Sequence, residues 1–291
     1  MNVQTMKKRG QFAEVWGRLR KNKLAMISLS VLLLICMAAI FADLIANYNN
    51  IVIKQNGAER LMAPCTQHWF GTDEFGRDIF ARIIHGARMA LLMGFGATII
   101  SVAAGLILAC VASYFGGVVD MVIMRVMDVL NSVPALVISL AICSGLGAGT
   151  WQLIVALSVA GIPIHTRMIR SNALGVMGNE YIEAAKSQGA STASVIFSHM
   201  VPNIASIIII QITSTVATNI LMGATLSFIG LGVKPPRPEW GLMLSSGTDY
   251  MLKNPHMVIF PGIAIILTAL SVNTFGDCLR DAFDPKLKGK A

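Results

Sequence analysis

Charge is what this chain has least of. Only 13% of its residues are Asp, Glu, Lys or Arg, about half the fraction that a soluble domain carries. With 55% hydrophobic residues and a mean hydropathy of +0.66, much of the chain must face something other than water. Apolar runs of membrane-spanning length override what a length of 291 residues would otherwise imply about soluble domains. The composition defines an integral membrane protein.

Catalytic signatures are missing as well. No G-x-x-x-x-G-K-[ST] phosphate loop and no H-E-x-x-H occurs, so this chain is not expected to hydrolyse ATP or to hold a protease zinc. The five cysteines share no C-x-x-C spacing. Cys36, Cys110 and Cys143 lie inside apolar runs, where a thiol acts as a small hydrophobe, while Cys65 and Cys278 lie outside a span and near the end of one. His68, His85, His165, His199 and His256 stand singly; packing or interfacial roles are expected for each, and no metal site. There is no fixed-period repeat, low-complexity tract or linker between soluble domains.

The net charge of +8 does not point to nucleic acid, because no soluble fold or interleaved aromatics accompany the basic segments. Lys7, Lys8, Arg9, Arg18, Arg20, Lys21 and Lys23 precede the first apolar run, and Arg280, Lys286, Lys288 and Lys290 follow the last. Basic residues at span ends mark the cytoplasmic side. The first run is too long for a signal-peptide core and has no A-x-A site after it, so a retained helix is expected.

Six spans can be drawn, over Leu24–Ala46, Met89–Tyr114, Val118–Ile142, Trp151–Ile169, Ile204–Ile229 and Met257–Phe275. An even number returns both termini to the cytoplasm. The resulting organisation is a cytoplasmic segment (1–23), a first transmembrane helix (24–46), an extracytoplasmic segment (47–88), a five-helix core (89–280) with a cytoplasmic loop at 179–203, and a cytoplasmic tail (281–291). One tension stands in that scheme: Lys54, Arg60, Arg77, Arg82 and Arg88 are many cations for an outer segment.

Several polar groups lie within the apolar runs. Asp120, Arg125 and Asp128 fall at the edge of the third span, where ionisable groups pair or face a wet cavity. Arg125 and Asp128 can share a helix face, and a helix-locking ion pair or a part in gating follows. In span five, Gln211, Thr215, Thr218 or Asn219, and Thr225 recur at helical spacing. Such a stripe suits close helix packing or a hydrophilic path equally well.

The stretch "NEYIEAAKSQGASTASVIFSHMVPN" (179–203) is the polar patch between spans four and five. Strong helix formers lead to Gly189, placed as a left-handed C-terminal cap. Ser191 can then cap a second helix that Pro202 ends. Ala184 and Ala185 leave one surface almost bare, with Glu183 beside it. By pattern alone this is a helix-corner-helix connector, either lying on the membrane or touching a partner. Before span two, "GTDEFGRD" brings Gly71, Thr72, Asp73, Gly76, Arg77 and Asp78 together in turn chemistry. It reads as a cap on the outer mouth or as a contact for another protein.

"EAAKSQG" followed at a fixed gap by "HMVPN" resembles the EAA motif of ABC-importer permeases, E-A-A-x3-G-x9-I-x-L-P. Glu183, Ala184, Ala185, Gly189 and Pro202 match it; His199 and Val201 replace the motif's isoleucine and leucine. "HWFGTDEFGRDIFARIIHGAR", "LSFIGLGVKPPRPEWGLML" and "FGDCLRDAFDPKL" are similar to segments of the dipeptide/oligopeptide/nickel permeases, so the resemblance runs over nearly the whole chain. It implies an all-α, six-helix type I importer (MetI-like) fold. It implies half of a pore for short peptides, coupled to ATPases through the EAA loop. A second permease, two ATPase subunits holding ATP and magnesium, and an extracytoplasmic solute-binding protein in a bacterial inner membrane would complete the system. A nickel or other peptide-like solute is the alternative within the family. An ion-coupled secondary transporter is an alternative outside it, although Pro163 and Gly223 interrupt spans without the midplane carboxylate expected of one.

Overall fold

A computed structural model describes residues 11–283, with side chains from residue 14 onward; Lys7, Lys8, Arg9, Lys286, Lys288 and Lys290 lie outside the described residues. The described residues are helical apart from turns, loops and one isolated bridge between Thr72 and Asp78.

The chain enters through α1 (Gln11–Lys21), with Arg18, Arg20 and Lys21 in its last turn, where the helix dipole favours cations. Val15 and Leu19, one turn apart, bury against Cys278, Leu279 and Ala282, and Arg18 donates to the Ala282 carbonyl at 3.1 Å. The two described ends of the chain therefore meet on one side of the molecule. Asn22 accepts from the amides of Leu24 (2.9 Å) and Ala25 (3.3 Å) and starts α2, Lys23–Ile40. The short α3, Ala42–Ile45, follows.

The central element is α4, Ile79–Phe115, whose 37 residues span about 55 Å at 1.5 Å per residue. Small residues face its neighbours at three- and four-residue intervals: Ala90, Gly94, Ala97, Ser101, Gly105 and Ala109 are buried. This stripe lets backbones approach closely, which is how helices associate where lipid removes the hydrophobic drive. At Gly105 a Cβ would stand 2.8 Å from the His165 Cβ and 3.0 Å from the Thr166 nitrogen, so only glycine admits α7 (Thr150–Met177) at this separation. The helix begins ten residues before the expected Met89, because Asp78 caps it by accepting from the Ala81 amide at 2.8 Å.

The third span departs from a single helix. It consists of α5 (Gly117–Asn131) and α6 (Ala135–Leu146), which meet at 84°. Pro134 explains the break: it denies a helical amide and pushes Val133 out of the helical region. The N-S-V-P signal was legible, yet hydropathy runs through it.

Past α7 come α8 (Glu180–Ser187), α9 (Thr192–Ser194), α10 (Val201–Phe228), α11 (Trp240–Thr248) and α12 (His256–Phe283). Five helical stretches are long and apolar enough to cross a membrane, and the bent α5–α6 pair makes a sixth if taken as one span. Their outward faces are apolar, with Leu34, Leu44, Ile107 and Ile266 each more than 60% exposed, as contact with lipid requires. Exposed Trp69 and Trp151 stand before α4 and at the start of α7, where an interfacial aromatic belt is expected.

Candidate coupling surface and the polar sites around it

The 179–203 stretch forms a helix-corner-helix. Helix α8 ends in two backbone bonds, Gly189 N to the Lys186 carbonyl at 3.0 Å and Ala190 N to the Ala185 carbonyl at 3.1 Å. These are the paired closing bonds of a glycine cap. Gly189 sits at φ +83° with open space around it; its requirement is therefore conformational, not steric. Ser191 caps the second helix, its Oγ accepting from Ser194 N at 3.2 Å.

Pro202 does not end that helix. From Thr192 the chain runs on to Phe228, passing through a wider, π-helical turn over Val195–Met200. There Val201 N reaches the carbonyl of Ile196, five residues back. A proline removes one amide and crowds a carbonyl four residues earlier; the widened turn just before it lets the helix continue. The second helix of the corner and span five are one continuous helix.

The corner is anchored at its back and open at its front. Ile182, Val195 and Met200 are fully buried. Tyr114, near the end of α4, receives the Thr192 hydroxyl at 3.1 Å, and the Lys186 ammonium lies 4.9 Å from its ring centroid. Outward face Tyr181, Glu183, Ala184, Gln188 and Gly189, all exposed, with Phe197 72% exposed beyond them. Tyr181, Ala184, Ala185, Gly189, Ala190 and His199 line an open notch of about 430 Å³. The patterning identifies this face, but nothing local marks Tyr114, which reaches the loop from 78 residues away.

The charges of span three pair with another helix, not with each other. Asp120 binds Arg170 of α7 through both carboxylate oxygens, and Asp128 binds Arg167 at 2.6 Å. Arg125 is exposed and makes no ion pair among the described residues. The expected Arg125–Asp128 pairing is thus replaced by an α5–α7 clamp, whose cations lie 39 and 50 residues away.

The stripe on α10 divides between two faces. Asn219 is buried and donates to Thr98 Oγ1 of α4 at 2.9 Å. Gln211 meets His165 Nδ1 of α7 at 3.2 Å. Neither of these two is on the open side; both join helices within this chain. Thr215 is half-buried, whereas Thr218 and Thr225, with Ser214, are exposed. Each of these three hydroxyls donates to a carbonyl one turn back, Ser214 to Ile210, Thr218 to Ser214 and Thr225 to Leu221, so the face can meet water, a second chain or lipid.

The outer segment folds as a compact cap. Gly71 (φ +77°) and Gly76 (φ +74°) take backbone conformations closed to most side chains; a Cβ on Gly76 would lie 1.9 Å from the Asn56 carbonyl oxygen. Asp73 accepts from the amides of Phe75 and Arg77, and its other oxygen holds the Arg77 guanidinium at 2.7 Å and lies 3.4 Å from that of Arg82. His68 lies between Asp78 (2.8 Å) and Glu59 (3.5 Å). Arg60 donates to the Glu74 carbonyl at 2.7 Å and Arg88 pairs with Asp43 at 2.6 Å. Three of the five cations that strained the orientation rule, Arg77, Arg82 and Arg88, pair with carboxylates of this chain. Thr72 bonds the Glu59 carbonyl and the Met62 amide.

Glu239 is a functional-looking residue that sequence reading missed. It is 1% exposed, yet it caps α11 by accepting from Gly241 N (3.0 Å) and Leu242 N (2.8 Å). Burial raises its carboxyl to about 7, against the lowering effect of those two amides. Beside it the Trp240 indole donates to the Ile83 carbonyl of α4 at 2.9 Å.

The fold and the exposed corner define a multi-pass, all-α membrane protein. Comparison with known proteins narrows that class. Residues 101–289 match the family profile described as binding-protein-dependent transport system inner membrane component. Residues 10–64 match the N-terminal transmembrane domain of oligopeptide transport permease C. The dipeptide transport system permease protein of Alkalihalophilus pseudofirmus is 40% identical over 275 residues, covering 94% of this chain and 90% of that protein. The glutathione transport system permease protein of Escherichia coli O157:H7 is 40% identical over 281 residues, covering 95% and 91%. A crystal structure of an amino acid ABC transporter with histidines shares the fold, with a TM-score of 0.54 at 18% identity over 69% of this chain and 94% of that one.

The chain belongs to the binding-protein-dependent transport system inner membrane component family, within its dipeptide/oligopeptide/nickel importer branch. It is a permease subunit of an ABC importer, a multi-pass membrane protein that works with ATPase and binding-protein components.

Proposed function

We propose that this chain forms half of the translocation path of a bacterial inner-membrane importer for short peptides. The other half is a second, homologous permease. Two ATPase subunits bind ATP and magnesium and hydrolyse the nucleotide, and an extracytoplasmic binding protein delivers the solute. Both termini lie in the cytoplasm, with the 179–203 corner on the same side.

The observation that carries this reading is the corner itself, exposed at its front, braced by Tyr114 and continuous with α10. Glu183, Ala184, Ala185 and Gly189 would enter a groove on an ATPase subunit, the alanines allowing close backbone approach. Pro202 and the widened turn before it would carry a rigid-body movement into span five. Names of relatives at 40% identity favour a di- or oligopeptide-sized solute.

The test is uptake by proteoliposomes containing the complex that copurifies with this chain. ATP-dependent accumulation of a labelled dipeptide is expected, with a peptide recovered from the binding protein by mass spectrometry. Uptake that persists without ATPase subunits, or a complex that carries nickel and no peptide, would overturn the reading.

A further inference from the structure

Behind the first span lies a groove of about 290 Å³, walled by α2, α4 and α12 and closed at the cap end by Phe70. No residue of α10 or of the 179–203 corner lines it. Leu34 on α2 and Ile263 and Leu267 on α12 form an exposed rim. Ile84 and Ala87 of α4, Trp240 of α11 and Thr268 of α12 form a buried floor. The rim is part of the apolar face that these spans turn to lipid, so the groove is a recess in that face.

Its chemistry excludes a polar occupant. The Thr268 hydroxyl donates to the Ala264 carbonyl at 2.7 Å, and the Trp240 indole donates to the Ile83 carbonyl at 2.9 Å. Every other lining side chain is hydrocarbon. Water or a charged solute would lose hydrogen bonds here and find none in return. An apolar cavity of about 150 Å³ already stays dry and takes up benzene; this one is larger and opens sideways.

Its direction is that of the membrane normal. Along α12 the wall runs from Phe260 to Thr268, about 12 Å at 1.5 Å per residue. One leaflet contributes about 15 Å to the hydrocarbon core. At the cap end Phe70 stacks on Phe260, with ring centroids 4.0 Å apart. The adjoining Trp69 is exposed beside the Phe80 ring, and exposed indoles sit at headgroup level. The groove thus starts at the interface and descends through most of one leaflet. A helix of a second chain, about 10–12 Å across with its side chains, could close the mouth but not fill the recess.

We infer that this groove is a binding site for one acyl chain of a phospholipid from the cap-side leaflet. The chain enters past Leu34, Ile263 and Leu267, its headgroup stays level with Trp69, and its methylenes contact Trp240 and Thr268. Seated there, it fills the space between the first span and the core. The inference does not depend on which solute is transported.

The test is photolabelling in proteoliposomes that hold the complex copurifying with this chain. They include a phosphatidylcholine with a diazirine on its acyl chain, and adducts are mapped by mass spectrometry. Adducts on Trp240 and Thr268 are expected, although these residues are only 2% and 0% exposed and lipid that merely surrounds the molecule does not reach them. Ala38→Phe and Ala264→Phe fill the groove from two half-buried wall positions and should cut labelling of the floor at least fivefold. Labelling of Ile266, exposed to lipid at the depth of Thr268, should stay unchanged, which controls for insertion and folding. Wild-type adducts confined to exposed residues would overturn the inference, whatever covers the mouth, and this result needs neither variant. Floor labelling that both variants leave unchanged would overturn it too.

Discussion

Gly189 and Glu239 are two residues whose environments dictate different experiments. At Gly189 nothing would touch an added Cβ, and φ is +83°, so any loss on substitution comes from the backbone, at roughly 1–2 kcal/mol for an L-residue. Gly189→Val is expected to insert normally, assemble poorly with the ATPase and lose transport. Gly189→Asn, a residue that tolerates this conformation, should retain more. Normal uptake by the valine form would sink the coupling role. For Glu239 the sign follows from burial. Burial pushes its carboxyl up to about 7 in the folded chain, from an ordinary 4.5. The folded state binds more protons between these values, so stability is highest below about 4.5 and falls as pH rises towards 7. The loss is on the order of 3 kcal/mol. Glu239→Gln should flatten the thermal midpoint of the solubilised chain against pH over that window. An unchanged slope would mean that another group sets it.

Elements show which parts of the fold can be read locally. The corner at 179–203 was legible because every signal that makes it, from helix formers through Gly189 to Ser191, lies within a dozen residues. The passage through Pro202 was not, since a widened turn rescues a proline only when flanking helix is already held by packing. The break at Pro134 was written in the sequence and masked by continuous hydropathy. The α5–α7 clamp and the Tyr114 brace could not be read, because Asp120, Asp128 and Thr192 find partners 39 to 78 residues away. Tyr114 supplies the prediction at this scale. Tyr114→Phe removes the bond to Thr192 and keeps the ring under Lys186, a loss of about 1 kcal/mol. Tyr114→Ala removes both, adding roughly 0.5–1 kcal/mol. Solute moved per ATP hydrolysed should fall in that order, with ATP hydrolysis continuing. Equal coupling ratios in all three forms would leave the brace without a mechanical role.

Across the whole molecule, the division of polar residues on α10 sets what a reagent can reach. Thr218 is on the open face and its neighbour Asn219 is locked to Thr98. In the assembled transporter, Thr218→Cys is expected to react with a membrane-impermeant thiol reagent and Asn219→Cys to resist it. Equal protection of both would place this face against lipid or a tight interface in place of water. The small-residue stripe of α4 gives the scaffold against which such faces are fixed, and the cap above it neutralises most of the cations that had made the outer segment an awkward one to export.

The continuity of the chain from Thr192 to Phe228 has a mechanical consequence. These 37 residues make a bar about 55 Å long, gripped near one end by Tyr114 and carrying Thr218 and Thr225 towards the other. Tilting such a bar by about 10° sweeps its far end through roughly 10 Å, with no hydrogen bond broken along its length. A displacement that is modest where a motor protein would seat becomes, by leverage alone, comparable to the width of a helix.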